Sequence, residues 1–190
     1  MKTTLDARPF QRLIHVLLAL CLIISVTSCG DDDEPFDDVD PTPTVLEVQS
    51  AADVVADTGN TGQYTFYSLR ENRVIDRADS ATDNWDLAFK GTRVLTNGGT
   101  SGPGAGGAQV MNGIFDEFGT APADGYATDG NNGLAIPTGS GNGWYTYTAT
   151  SSPQHAILPI AGKVIMVRTG NGHYAKIEML SYYEGKPNTT

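Results

Sequence analysis

Residues 45–190 predict an all-β domain with a predominantly antiparallel sheet, and three observations carry that reading. Apolar and polar side chains alternate with a period of two in several short runs, such as NWDLAFK at 84–90. The chain holds 22 Gly and 10 Pro, which favours many turns and short strands over a helical bundle. Gly170-Asn171-Gly172 separates two strand-like runs and marks a hairpin. At 190 residues the chain has room for one such domain and rules out a multidomain enzyme.

Two segments precede the domain. Residues 1–28 read as a signal peptide: Lys2, Arg8 and Arg12 open it, and an apolar run at 13–26 follows, too short for a comfortable bilayer span. Val26-Thr27-Ser28-Cys29 resembles a bacterial lipobox, with Cys29 as the lipidated new N-terminus. The only other cysteine, Cys21, lies in the leader, so the mature chain has no partner for a disulfide. Residues 30–44 (GDDDEPFDDVDPTPT) are acidic and proline-rich, cannot pack a core, and with Cys29 form a disordered tether. An acidic run just after a lipidated Cys resembles a surface-export signal of Bacteroidetes lipoproteins, which implies the extracellular face of the outer membrane. A plain solubilising spacer is the alternative.

Within the domain, 62–69 (GQYTFYSL) alternates, with Tyr64 and Phe66 on one face and Tyr67 and Leu69 on the other. In 84–90, Trp85, Leu87 and Phe89 point one way, and Asp86, Ala88 and Lys90 the other. TRVLT at 92–96 is its hairpin partner or its continuation past Gly91. WYTYTA at 144–149 is rich in aromatic and β-branched residues. KVIMVRT at 163–169 and HYAKIEMLSYY at 173–183 flank the hairpin turn. Residues 46–56 are the one weak candidate for a helix. The long polar stretches at 97–108 and 119–143 read as loops, where binding residues concentrate.

Taken in order, WDLAF (85–89), TNGGTSGPGAGGA (96–108), GWYTYT (143–148) and VIMVRTGNGHYAKIEMLSYY (164–183) resemble the HmuY-like family of haem-binding lipoproteins of Bacteroidetes. The resemblance implies a hand-like, mostly β fold, no enzymatic activity, and haem b gripped between extensions of the fold. It also implies transfer of haem to a TonB-dependent haem transporter. The family usually continues past SYYEGKP (181–187) into another aromatic strand, whereas this sequence stops at Thr190. Either the sequence is truncated, or the sheet has an open edge beside 173–183 that invites pairing into a homo-oligomer.

Haem iron takes axial ligands from His, Met, Tyr or Cys. Met111, just past the Gly-rich stretch, and His155, in the loop before 163, are the candidates, since both sit on segments able to close over a flat ligand. The bland readings are a strand Met and a solvated loop His. His173 reads as a surface residue, and Met166 and Met179 as core filling. Tyr126, Trp144, Tyr145 and Tyr147 are candidate pocket walls, and Lys90 and Arg93 candidate partners for the propionates; core aromatics and solvated cations are the equally weighted alternative. The expected cleft lies between the loop at 97–108 and the loop preceding 163.

Other chemistries lack support. The net charge of −10, with 12 Lys+Arg, argues against nucleic acid. Gly102 to Gly107 matches G-x-G-x-x-G, yet no βαβ unit surrounds it. Asp124 to Asn131 is calcium-like in composition but lacks EF-hand spacing; no metal beyond haem iron is expected. The competing function is a surface adhesin that binds glycan or protein through the same aromatic and Asn/Gly/Thr-rich loops.

Overall fold

A computed structural model describes residues 48–51, 53–56 and 61–185. The leader, Cys29 and the tether to residue 44 lie outside them, as do residues 46, 47 and 52 of the helix candidate. The described part of that candidate carries no helix. Among the described residues, helix is confined to two 3-10 turns, Arg77–Ala81 and Phe115–Glu117.

The strands are β1 (Thr65–Ser68), β2 (Arg73–Ile75), β3 (Leu87–Lys90), β4 (Arg93–Thr96), β5 (Gly107–Asn112), β6 (Tyr145–Tyr147), β7 (Ile157–Pro159), β8 (Lys163–Arg168) and β9 (Tyr174–Ile177). They form a four-stranded sheet in the order β2-β1-β3-β4, a three-stranded sheet β5-β8-β9, and the two-stranded β6-β7. Every pairing is antiparallel. The all-β expectation therefore holds.

Turn chemistry explains two hairpins. Lys90 pairs with Arg93, so residues 92–96 supply a hairpin partner rather than a continuation. Gly91 makes that turn at φ +54°, a conformation glycine adopts without steric cost. At the other end, Arg168 pairs with Tyr174, and the Gly172 amide donates to the Thr169 carbonyl at 3.0 Å inside the expected turn.

The main core lies between the two larger sheets. Leu87 and Val94 from one, and Ala108, Ile165 and Val167 from the other, share a buried cluster with Ile136 and Trp144. Each fully buried Leu or Ile is worth about 1.5–3 kcal/mol of transfer free energy. Phe66, with Tyr64 and Leu95, packs on a smaller cluster of Ile75, Trp85 and Ala88, as the alternation in 62–69 required. Val164 and Met166 are also buried, so β8 is covered on both faces, and Met166 fills core as expected.

Trp85 corrects the expected alternation. It sits with Ala88 and Phe66, not with Leu87 and Phe89. The strand begins only at Leu87, because the preceding Asp86 is held by the amides of Leu69 at 2.7 Å and Gly170 at 3.1 Å. Released from the pleat, the indole packs edge-on to Phe66 at 4.9 Å and donates from Nε1 to the Ser80 carbonyl at 3.0 Å.

Strands β2 and β7 carry no sequence signal, and β5 was open only as the strand reading of Met111. Three residues beginning with an arginine show no period, β5 opens on glycine, and β7 ends on Pro159, which a β-strand tolerates at its margin. The run at 173–183 contributes only four strand residues.

Candidate functional site

The Gly-rich stretch at 97–106 is pinned by buried Asn97, Gly98 and Gly106, while Gly99, Thr100, Pro103 and Ala105 are exposed. Asn97 is fully buried; its Nδ2 donates to the carbonyls of Thr82 at 2.9 Å and Trp85 at 2.8 Å, and its Oδ1 accepts from the Gly104 amide at 3.0 Å. The Gly106 amide donates to the Asn97 carbonyl at 2.7 Å. A Cβ on Gly98 would collide with the Gly106 carbonyl, and one on Gly99 with that of Asp129. Asp129 itself is buried and accepts the amides of Thr96 at 2.9 Å and Ala135 at 2.8 Å. Its carboxylate thus braces the backbone at Thr96 and Ala135. Among the described residues no three His, Cys, Asp or Glu side chains cluster as a metal site.

The register separates the Gly-rich stretch from the turn at 160–162 that enters β8; the loop expected to face that stretch, which carries His155, precedes β7 instead. The Gly-rich stretch feeds β5 at Gly107, opposite Arg168, whereas the turn at 160–162 feeds β8 at Lys163, opposite Asn112. Those positions are five strand steps apart, about 17 Å at 3.3–3.4 Å per residue. The Gly-rich stretch and the turn at 160–162 therefore flank opposite ends of β8. Composition cannot reveal this, because it follows from the antiparallel pairing.

Met111 lies in β5 opposite Val164, at the Lys163 end. Its neighbour Val110 and the paired Ile165 face the main core, so alternation turns Met111 to the other face of the sheet. Tyr126 borders the opposite end of β5: Ala127 bridges to Ala108, its ring lies 5.5 Å from that of Tyr174, and the Arg168 guanidinium sits 5.8 Å above it. Burial first, then the neighbouring Tyr174, raises the Tyr126 phenol pKa, against a lowering by Arg168.

The remaining candidates gather around β6 and β7. Trp144 and Tyr145 are buried, their rings 5.1 Å apart. The Trp144 indole donates to the Thr92 carbonyl at 3.1 Å, which ties the Lys90–Arg93 turn to this end. Arg93 is exposed, and the Lys90 ammonium lies 4.6 Å over the Tyr64 ring. Along β6 the side chains of Tyr145 and Tyr147 share a face, yet Tyr145 is 8% exposed and Tyr147 is 44% exposed. The aromatic face of this hairpin runs out of the core into solvent.

His155 stands on the loop that joins β6 to β7. It is exposed, with φ +56°, a left-handed conformation uncommon outside glycine in which histidine is over-represented. Its Nδ1 lies 2.6 Å from the Tyr147 hydroxyl oxygen. Tyr182 and Tyr183, not singled out in the sequence, complete the surroundings. Tyr182 lies 6.4 Å from Trp144 and 5.3 Å from Tyr183, whose hydroxyl accepts the Ile157 amide at 2.9 Å. A tandem Tyr beyond a short strand was the available signal.

The fold thus brings Tyr147 and His155 together, and links Trp144, Tyr145 and the Lys90–Arg93 turn behind them. Met111 and Tyr126 belong to the β5-β8-β9 sheet instead. At the Tyr147–His155 end the imidazole is exposed, the Tyr147 phenol borders it, and exposed Arg93 stands on the turn that Trp144 holds. A family model described as HmuY protein matches residues 60–190. No curated protein matches the chain.

Proposed function

Because the chain belongs to the HmuY family, we propose that it is a surface lipoprotein that binds haem b and passes it to a TonB-dependent haem transporter. That family is haem-binding and non-enzymatic, and no catalytic role is proposed for this chain. The observation that carries the reading is the solvent-facing imidazole of His155, held at Nδ1 by Tyr147 at 2.6 Å on an aromatic hairpin face. When bound, haem supplies an iron that accepts axial ligands from the protein.

His155 would hold the iron through its imidazole, and Met111, on the β5-β8-β9 sheet, is the second candidate ligand, each to be tested singly. Tyr147 is the proposed wall that is most open to a ligand, with Tyr126 half-buried and Trp144 and Tyr145 backing the hairpin from the core. Arg93 and Lys90 are assigned to the propionates. Lipidation at Cys29 would hold the domain on the outer face of the outer membrane, with residues 30–44 as its tether. Among the described residues no helix is long and apolar enough to cross a membrane.

Titration of the full chain with hemin tests the reading. Saturable growth of a Soret band, altered by His155→Ala or Met111→Ala, is the expected result. A chain that never binds hemin would hand the case to the adhesin reading. Cys29→Ala should block acylation and leave an unprocessed or a soluble form; normal processing with membrane retention in that variant would refute the anchor.

A further inference from the structure

The loop from Thr148 to Ala156 fixes His155 from two directions. The backbone is held first. The amide of Thr148 donates to the Ala156 carbonyl at 3.0 Å, the His155 amide to the Ala149 carbonyl at 2.8 Å, and the Ser151 amide to the Thr148 carbonyl at 2.9 Å. The Ala156 amide donates to the Thr148 hydroxyl at 2.9 Å. This network surrounds and holds the φ of +56° at His155, a conformation that costs an ordinary residue roughly 1–2 kcal/mol. Retained strain of this kind needs surroundings that over-determine it.

The ring is held second. Tyr147 stands on β6 with its own amide donating to the Ser140 hydroxyl at 2.8 Å, so its backbone is anchored where the phenol meets the imidazole. With the ring centroids 6.1 Å apart, the contact between the side chains is the hydroxyl–Nδ1 hydrogen bond rather than stacking. If the hydroxyl accepts, the proton sits on Nδ1 and the lone pair of Nε2 faces solvent. That tautomer is the one a metal-binding imidazole needs, and an outer partner on the far nitrogen raises its basicity.

We propose that Tyr147 is a positioning residue for iron ligation: its hydroxyl accepts the Nδ1 proton of His155, selects that tautomer, and aims Nε2 outward. This inference rests on the haem-binding reading and adds a residue that acts on the iron only through His155. Tyr147→Phe removes one oxygen from a half-exposed ring and should leave the fold unaltered, as circular dichroism would report.

Two measurements on the full chain test the assignment. Without hemin, imidazole ¹⁵N shifts should show His155 protonated at Nδ1, and Tyr147→Phe should shift the population toward protonation at Nε2. With hemin, Tyr147→Phe should weaken binding about 10- to 100-fold, the usual cost of losing such a partner. It should also raise the iron reduction potential, because a less basic imidazole favours the ferrous state. Three results would overturn the assignment while leaving haem binding intact: a His155 already protonated at Nε2 in the parent protein, a His155→Ala variant with an unchanged hemin spectrum, or a Tyr147→Phe variant with parental affinity and potential. A parent chain that does not bind hemin would overturn both this assignment and the reading beneath it.

Discussion

The stretch at 97–106 and the loop at 148–156 look alike as sequence, since both are short-side-chain, polar connections between strands. They do opposite things. In the first, the glycines sit where a Cβ would meet backbone, and buried Asn97 knits residues 82, 85, 104 and 106 together. In the second, non-glycine residues, Ala149 at φ +50° and His155 at φ +56°, occupy the left-handed region, and the side chains face solvent. Glycine marks close packing in one region, and its absence marks an exposed, braced side chain in the other. Loop composition therefore says little about which loop carries chemistry.

The sharpest way to break this contrast is Gly99→Ala. The added Cβ meets the Asp129 carbonyl, and the residue holds φ +61°, so clash and backbone strain combine. Urea unfolding should show a loss of about 3 kcal/mol or more; a loss below 1 kcal/mol would mean the stretch is looser than the fold implies. Next comes Asn97→Ala, which strips the buried carbonyls of Thr82 and Trp85 and the Gly104 amide of their partner. A loss of about 2–4 kcal/mol is expected, and the same urea experiment reads it.

A smaller effect concerns Asp86, the carboxylate that joins β3 to the Gly170 turn. Desolvation by burial raises its pKa, against the lowering effect of the amides that bond to it. The folded protein therefore keeps a proton at pH values where the unfolded chain has released it. The stability contributed this way is fully present below the unfolded value, about 4, and is lost as pH rises through the folded one. Relative to Asp86→Asn, which does not titrate, the parent protein should gain stability as pH falls from 7 toward 4. A difference that is flat, or that grows toward neutral pH, would contradict the assignment.

The smallest expected effect lies in the exposed loop. His155→Gly relieves the strain at φ +56° and adds unfolded-state entropy, and the two nearly offset, leaving thermal stability within about 0.5 kcal/mol of the parent. Hemin titration of the same variant should nonetheless change. A large stability loss would show that the loop serves the core as the Gly-rich stretch does.

From residues alone, the alternating runs and turn signals pointed to an antiparallel β domain, to 173–177 as the partner of the strand before the Gly170 turn, to Phe66 and Tyr67 facing apart, and to Met166 as core filling, while 92–96 stayed open between hairpin partner and continuation. Those features follow from local pleat geometry and turn chemistry, which short sequence windows contain. The family blocks pointed to haem by resemblance, and His155 and Tyr147 were both named as candidates. Only the tertiary structure decided that these two meet, that Tyr182 packs by Trp144 and Tyr183 bonds to Ile157, that Trp85 leaves the face of Leu87, and that the Gly-rich stretch and the turn entering β8 lie at opposite ends of that strand. Each outcome depends on contacts between distant parts of the chain, such as Asp86 with Gly170, Trp144 with Thr92 and Tyr183 with Ile157. A period of two assigns a side chain to a face; which face is buried, and by what, is decided when the sheets pack.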